Sequence, residues 1–127
     1  MVSPLPSKRV LVVDDEPGVR ELLAMIVDQA GYIPHAAESG EEAINILESI
    51  APDTCLMISD VLMDGMNGFD LAHRVRAKHP ELPILLISGY VEEAHALESL
   101  PDGVEFRRKP IRVRDITAII EARCSVD

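Results

Sequence analysis

The chain has few aromatic residues and no excess of positive charge. It contains no tryptophan, two tyrosines and two phenylalanines among 127 residues, and its formal net charge is −10. Few aromatic side chains are available for stacking on bases, and an acidic chain is repelled by nucleic-acid phosphates. No apolar run approaches the roughly 20 residues that span a bilayer, and no signal-peptide-like segment follows the N-terminal charges. The composition therefore predicts neither direct nucleic-acid binding nor membrane insertion.

Cysteine is scarce as well. Cys55 falls inside a predicted buried strand and Cys124 lies near the end of the chain. We therefore expect no disulfide framework and favour a reducing compartment, which predicts a cytoplasmic location. The length fits one domain, and an apolar content of 47% argues against disorder. We predict a single domain over residues 1–127, with residues 1–8 as a loose tail.

Strand-like and helix-like patterns alternate along the chain. Short apolar runs predict strands at residues 10–13, 33–37, 54–59, 84–88 and 104–107, and the second is interrupted by Pro34, which suits an edge strand. Helices are predicted between them, including a short one over residues 91–100. Five strands alternating with five helices predict an α/β fold with a parallel sheet covered on both faces.

Local signals mark the helix ends and the buried helix faces. Ser39 and Glu42 have capping-box spacing and Asn67 is a plausible N-cap. Apolar spacing predicts the buried face of the first helix, made by Val19, Leu22, Leu23, Ile26 and Val27, and that of the last helix, made by Val113, Ile116 and Ile120.

The strongest polar residues follow the apolar runs directly. Asp14 and Asp15 follow the first strand, Asp60 the third, Ser88 the fourth, and Lys109 lies beyond the fifth. Because parallel strands end at one edge of a sheet, and ligands bind there in open α/β sheets, these side chains are expected to converge. Three carboxylates, a hydroxyl and an ammonium form the composition of a metal-assisted phosphoryl-transfer site.

Four motifs in this order resemble the receiver domain of bacterial two-component response regulators. They are Val13-Asp14-Asp15-Glu16-Pro17, Asp60 followed by Gly65 and Gly68, Ser88-Gly89-Tyr90, and Lys109-Pro110. Each motif alone is weak, but the ordered set is specific and covers residues 8–123. The resemblance implies a flavodoxin-like, doubly wound fold with strand order 2-1-3-4-5. The short fourth helix and the segments Ser88-Gly89-Tyr90 and Gly103-Val104-Glu105-Phe106 are also similar to receivers attached to hybrid kinases. A stand-alone regulator, a phosphate shuttle and a domain of a hybrid kinase therefore all remain open.

The resemblance assigns the phosphoacceptor and the metal ligands. Asp60 would accept the phosphoryl group, since an aspartate can form an aspartyl phosphate. Asp15 and Asp60 would bind Mg²⁺ directly, Asp14 through water, and Leu62 through its main-chain carbonyl. Two carboxylates about 5 Å apart repel by roughly 3 kcal/mol at an effective dielectric near 20, so such a cluster makes sense chiefly around a cation.

The remaining roles also come from the resemblance. Lys109 would neutralise phosphate charge and Ser88 would donate a hydrogen bond to a phosphate oxygen. Ser88 and Phe106 would form the switch that changes the affinity for a downstream protein target. The phosphoryl donor would be a histidine kinase or a histidine phosphotransfer protein.

One position departs from the family pattern, and two others are predicted to modulate the reaction at the site. Receivers commonly have proline four residues after the phosphoacceptor, whereas this chain has Asp64, which puts the metal affinity and the loop geometry in doubt. Leu62 and Tyr90, two residues after Asp60 and Ser88, flank the route of an attacking water in such sites, and we predict that they slow hydrolysis.

Two other functions are considered. A haloacid-dehalogenase-like phosphatase needs an acid two residues after its nucleophile; Leu62 cannot serve after Asp60, and Glu16 could serve after Asp14, but the chain has no cap for substrate selection. The other alternative is a receiver-like binding module that is never phosphorylated. The basic run of Arg107, Arg108, Lys109, Arg112 and Arg114 is either a solvated face or a docking surface for an acidic partner.

Overall fold

A five-stranded parallel sheet organises the molecule. The computed structural model describes residues 8–89 and 100–125, and its strands lie in the order β2-β1-β3-β4-β5. This confirms the predicted fold class and strand order. The strands are β1 (Arg9–Val13), β2 (Ile33–Ala37), β3 (Thr54–Asp60), β4 (Ile84–Ser88) and β5 (Val104–Arg108).

Four α-helices occur among the described residues. They are α1 (Pro17–Gln29), α2 (Gly40–Ile50), α3 (Gly68–Lys78) and α4 (Val113–Cys124), and a short 3-10 helix spans Ala51–Asp53. Residues 90–99 lie outside the part of the chain that is described. They include Tyr90, which was predicted to modulate the site, and all but the last position of the helix predicted over residues 91–100.

Successive strand residues point to opposite faces, and each face has its own core. Leu11 and Val13 of β1 belong to a cluster under α2 and α3. Val10 and Val12 of the same strand belong to a cluster under α1 and α4. The near-continuous apolar character of β1 therefore follows from burial on both faces.

The two predicted N-caps are confirmed. The Ser39 side chain accepts a hydrogen bond from the Glu42 main-chain N–H at 3.1 Å, and Asn67 Oδ1 accepts one from the Asp70 N–H at 2.9 Å. A cap of this kind stabilises a helix by about 1 kcal/mol. The second cap also fixes where the loop after β3 ends.

Two predicted core residues are exposed instead. Leu22 of α1 has 49% and Val113 of α4 has 51% of its surface accessible. The apolar stripe of α1 is wider than the sheet surface it covers, so Leu23, Ile26 and Val27 are buried and Leu22 is left at the margin. Val113 is the first residue of α4, and the buried residues of that helix begin one turn later, at Ile116.

Pro34 lies in an edge strand, as predicted. β2 pairs only with β1. The Ile33 N–H donates to Lys8 O, and Ala37 O accepts from the Asp14 N–H. Along a strand, the main-chain groups of successive residues point alternately towards the neighbouring strand and away from it. Since Ile33 and Ala37 bond towards β1, Pro34 points away from β1, where no N–H is required.

The expectation of no disulfide was wrong. Cys55 in β3 and Cys124 at the end of α4 are bonded, with an S–S distance of 2.05 Å and a Cα–Cα distance of 5.1 Å. The two residues are 69 positions apart, and only the packing of α4 back across the face that contains β3 brings them together. A reducing compartment stays a prediction.

Among the described residues, no helix has the length and apolar character that a membrane span requires.

Candidate functional site

Three carboxylates meet at the carboxyl edge of the sheet. Asp14 and Asp15 directly follow β1, and Asp60 is the last residue of β3. One carboxylate oxygen from each lies within 4.8 Å of the other two. The convergence predicted from the strand ends is therefore present for all three acids, because β1 and β3 are hydrogen-bonded neighbours in the sheet.

The Asp60 carboxylate is mostly buried and faces a lysine. Its side chain is 11% exposed, and Lys109 Nζ lies 3.6 Å from Asp60 Oδ1. The Val61 N–H donates to the same oxygen at 2.9 Å. The Lys109 main-chain N–H donates to Ser88 O at 2.9 Å, which ties the end of β5 to the end of β4. The ammonium therefore reaches Asp60 from the segment that follows β5.

Burial dominates the electrostatics of this cluster. Burial raises the pKa of Asp14, the hydrogen bond from the Glu16 N–H opposes this, and the charge of Asp60 adds to it. Burial also raises the pKa of Asp60, and Lys109 lowers it in part. The carboxylates thus hold negative charge in a place where water screens it poorly, and one lysine does not balance three acids.

The donor set fits a small, hard divalent cation. Mg²⁺ takes oxygen ligands at about 2.1 Å, so opposite ligands lie about 4.2 Å apart. The observed spacing of up to 4.8 Å needs only a small side-chain adjustment, or a water between one acid and the ion. The cluster is therefore a candidate metal centre.

The loop between β3 and α3 folds tightly against the site. The Gly68 N–H donates to Val61 O at 2.8 Å. A Cβ at Gly68 would lie 2.5 Å from Asp60 O and 2.8 Å from Val61 Cα. Only glycine permits this approach, so the second glycine of the predicted motif has a packing function beside Asp60.

The other predicted residues lie around this centre. Ser88 is fully buried at the end of β4. Phe106 is half-buried in β5, and its ring centroid lies 6.4 Å from that of Phe69 at the start of α3. Leu62 is 55% exposed and the Asp64 side chain is exposed. The structure thus brings Lys109 to Asp60 and places Ser88 at the same edge of the sheet, while the side chains of Leu62 and Asp64 face solvent.

Two features of the site were not predicted. An Arg20 guanidinium N–H donates to Asp14 O at 2.8 Å. A cation near a helix N-terminus opposes the helix dipole, and this could have signalled a specific contact. A cavity of about 360 Å³ also borders Asp14, Asp60 and Lys109, with Leu22 and Val113 among its apolar lining residues. No local pattern indicates that cavity, since it lies between α1 and α4.

The sheet order and the acidic edge define a flavodoxin-like α/β domain with a candidate cation and phosphate site. The response regulator receiver domain family matches residues 10–121. The sensor kinase CckA of Brucella abortus is 33% identical over 117 residues, which cover 91% of this chain and 12% of that protein. An uncharacterized 14.6 kDa protein of Leptolyngbya boryana is 33% identical over 118 residues, covering 91% of this chain and 88% of that protein.

A solved structure gives the same result. The response regulator TrrA of Thermotoga maritima, in complex with Mg²⁺-BeF, has a TM-score of 0.77 and 32% identity, and the match covers 91% of this chain and 97% of that one. The chain belongs to the response regulator receiver domain family of two-component systems. It spans about an eighth of the sensor kinase and most of the small Leptolyngbya protein, so its relatives include both a large kinase and a small protein.

Proposed function

We propose that this receiver domain accepts a phosphoryl group on Asp60. The observation that carries the proposal is the environment of that carboxylate. It is 11% exposed, 3.6 Å from an ammonium, and clustered with two further acids. A nucleophile that is held between a cation and a metal-type donor set is suited to attack on phosphorus.

With Mg²⁺ bound, the transfer step needs no reactant other than a phosphohistidine donor. An Asp60 carboxylate oxygen forms the new bond to phosphorus while the phosphorus–nitrogen bond breaks. The imidazole leaves with the electron pair of that bond. Lys109 neutralises charge on the phosphoryl oxygens, and Ser88 at the end of β4 donates a hydrogen bond to one of them. The domain would itself supply the catalysis of this step.

Mg²⁺ would be held by Asp15, Asp60 and the main-chain carbonyl of Leu62, with Asp14 acting through water. When bound, it supplies positive charge to the phosphoryl oxygens and orients them for in-line transfer. The three-carboxylate donor set supports this ion, and so does the Mg²⁺ complex of the related TrrA receiver.

The phosphorylated site would act as a two-state switch. Ser88 and Phe106 lie on the neighbouring strands β4 and β5, so a move of the hydroxyl towards phosphate leaves space that an aromatic side chain can fill. The stacked contact of Phe106 with Phe69 gives the ring a defined starting position. The altered surface would then bind a downstream protein target.

The partner that delivers the phosphoryl group would be a histidine kinase or a histidine phosphotransfer protein, in the cytoplasm. Exposed apolar side chains surround the cavity beside Asp60. Leu22 and Val113 line it, and Met25, one helical turn after Leu22, is 55% exposed. Clustered exposed apolar residues next to a reactive group indicate a protein contact surface.

Incubation with Mg²⁺ and phosphoramidate tests the proposal. We expect an adduct of about 80 Da on the intact protein, the mass of one phosphoryl group. The adduct should disappear in Asp60→Asn, and phosphate monoesters should not be turned over. Turnover of monoesters would instead favour the phosphatase alternative, and no adduct in the wild type would favour a binding module that is not phosphorylated.

A further inference from the structure

One hydrogen bond joins the two loops that supply the carboxylates. The main-chain N–H of Asp64 donates to Asp15 Oδ2 at 3.0 Å, across 49 positions of sequence. The other two acids are held locally. Asp14 accepts from the Glu16 N–H, and Asp60 accepts from the Val61 N–H. Asp15 is therefore the one acid of this cluster that a distant loop holds through a main-chain hydrogen bond within the described residues.

We propose that the main-chain N–H of Asp64 is a positioning group, which holds the Asp15 carboxylate in place for Mg²⁺. The inference rests on the proposed function of the cluster as a metal-dependent phosphoacceptor site. A hydrogen bond to one oxygen fixes the plane of a carboxylate and leaves its other lone pairs free for an ion. Groups that orient metal ligands in this way control metal affinity, and their loss weakens it about 10- to 100-fold.

The residue type at position 64 decides whether this bond can exist. The side chain of Asp64 is exposed, and the donor is its main chain. Proline, the residue commonly found there in receivers, has no N–H and could not donate. The departure from the family pattern therefore gives this chain a contact between the β1–α1 loop and the β3–α3 loop at the ion site.

The loop geometry supports a fixed role for this donor. Gly65 follows directly with φ of 79°, a left-handed conformation that glycine adopts without strain. Met66 is 9% exposed and packs in the core beneath α2 and α3. Asp64 thus precedes a sharp turn that is anchored on its far side, so its N–H is directed by the backbone.

Three matched variants separate the N–H from the carboxylate of Asp64. Asp64→Ala keeps the N–H and removes the side-chain charge. Asp64→Pro removes both. The ester counterpart of Asp64→Ala, with an α-hydroxy acid at this position, replaces only the N–H by oxygen and leaves φ free, so it controls for any proline-specific distortion of the loop.

The measurement is the Mg²⁺ dissociation constant by calorimetry, with phosphorylation by phosphoramidate followed as a function of Mg²⁺ concentration. We expect the proline and ester variants to bind Mg²⁺ about tenfold more weakly than Asp64→Ala. The rate at saturating Mg²⁺ should be the same in all three, since a positioning group affects how much ion binds and not the transfer that follows. A merely structural defect would lower the saturated rate.

The outcomes distinguish failure of the positioning role of Asp64 from failure of the proposed metal-dependent function. If the wild type binds Mg²⁺ and the ester variant binds it as tightly as Asp64→Ala, the positioning role is overturned and the proposed function stands. A lower saturated rate in the ester variant with unchanged affinity also overturns the positioning role. If the wild type binds no Mg²⁺, both the role of Asp64 and the metal-dependent function are overturned.

Discussion

At the scale of single residues, the absence of one side chain shapes the site. Because a Cβ at Gly68 would lie 2.5 Å from Asp60 O, Gly68→Ala must displace the backbone that precedes the loop. We expect it to lower the free energy of unfolding by about 1–3 kcal/mol and to reduce phosphorylation of Asp60. Urea denaturation and the phosphoramidate adduct measure these two effects.

Gly18 provides the matched control for that substitution. It lies in the first turn of α1, and nothing lies within 4 Å of the position of its Cβ. Gly18→Ala should therefore stabilise the protein by about 0.5–1 kcal/mol, since alanine favours the helix. Equal stability of the Gly68→Ala variant and the wild type would contradict the tight approach of the loop.

In the metal-free protein, the buried carboxylate of Asp14 should contribute more to the free energy of unfolding at low pH than at neutral pH. Its pKa is raised by burial above the ordinary value of 3.8, so the folded state takes up the proton more readily than the unfolded chain. This contribution to stability is fully present below pH 3.8 and is lost as the pH rises through the raised pKa.

The substitution Asp14→Asn tests this predicted direction of the pH dependence of stability. Asparagine is uncharged and retains an oxygen for the Glu16 N–H, so in EDTA at neutral pH the variant should be more stable than the wild type. The gain comes first from removal of a buried charge and then from loss of its repulsion with Asp60, and the repulsion alone is about 1–3 kcal/mol for charges about 5 Å apart at effective dielectrics between 80 and 20. The difference should vanish below pH 3.8. Chemical denaturation at both pH values measures it, and a less stable variant at neutral pH would refute the prediction.

Leu62 is predicted to slow hydrolysis of the aspartyl phosphate, because an apolar side chain near the site hinders an attacking water. Leu62→Asn should shorten the lifetime of the adduct several-fold, while Leu62→Met, which conserves volume and polarity, should leave it unchanged. Decay of the adduct after removal of phosphoramidate gives both lifetimes. A longer lifetime in Leu62→Asn would contradict the prediction.

At the scale of elements, α1 carries apolar residues on a buried face and on an exposed face. Leu23, Ile26 and Val27 are buried against the sheet, whereas Leu22 and Met25 are 49% and 55% exposed. The apolar residues of α1 therefore extend beyond the stripe that the sheet buries, and the exposed ones are available for the proposed contact with a partner. The sequence predicted the helix and its period correctly, but it could not tell which apolar residues the sheet covers, because that depends on how α1 lies against it.

Substitution of the exposed face should separate two sources of phosphate. Leu22→Glu with Met25→Glu should slow transfer from a phosphorylated kinase or phosphotransfer domain at least tenfold, since a docked apolar pair is lost and charge is introduced. Transfer from phosphoramidate, which needs no docking surface, should be unchanged. Glu21→Gln, at an exposed position of the same helix, is the control. Equal loss with both donors would argue against a docking role.

At the scale of the whole molecule, one covalent bond connects distant parts of the chain. Cys55 and Cys124 close a loop with a separation of 69 residues. A cross-link of this length limits the unfolded chain and stabilises the folded one by about 4 kcal/mol. Dithiothreitol should therefore lower the stability of the wild type by about this amount in urea denaturation.

A variant with both cysteines replaced by alanine is the control, since its stability should not respond to dithiothreitol. Unchanged wild-type stability on reduction would contradict the prediction. Acid quenching of intact cells followed by alkylation of the denatured protein tests the predicted compartment separately, because both cysteines of a cytoplasmic protein should be trapped as free thiols although Cys124 is buried in the fold.

Features that depend on residues close together in sequence could be predicted, whereas contacts between residues far apart in sequence could not. The caps at Ser39 and Asn67 and the acids after the strands depend on neighbours in sequence, so local patterns predicted them. The Cys55–Cys124 bond and the contact of Asp64 with Asp15 join residues 69 and 49 positions apart. Such contacts depend on how elements pack in three dimensions, and no local periodicity encodes the distance between two loops.

Pro34 also affects how separate molecules meet. Its outward position in β2 lacks the N–H with which an approaching strand from another chain would pair, so this edge cannot template a continuous intermolecular ladder. At the other edge, β5 ends in the exposed residues Arg107 and Arg108, whose charges oppose close stacking of a second sheet. Among the described residues, each outer strand of the sheet thus carries a feature that disfavours pairing with a strand of another molecule.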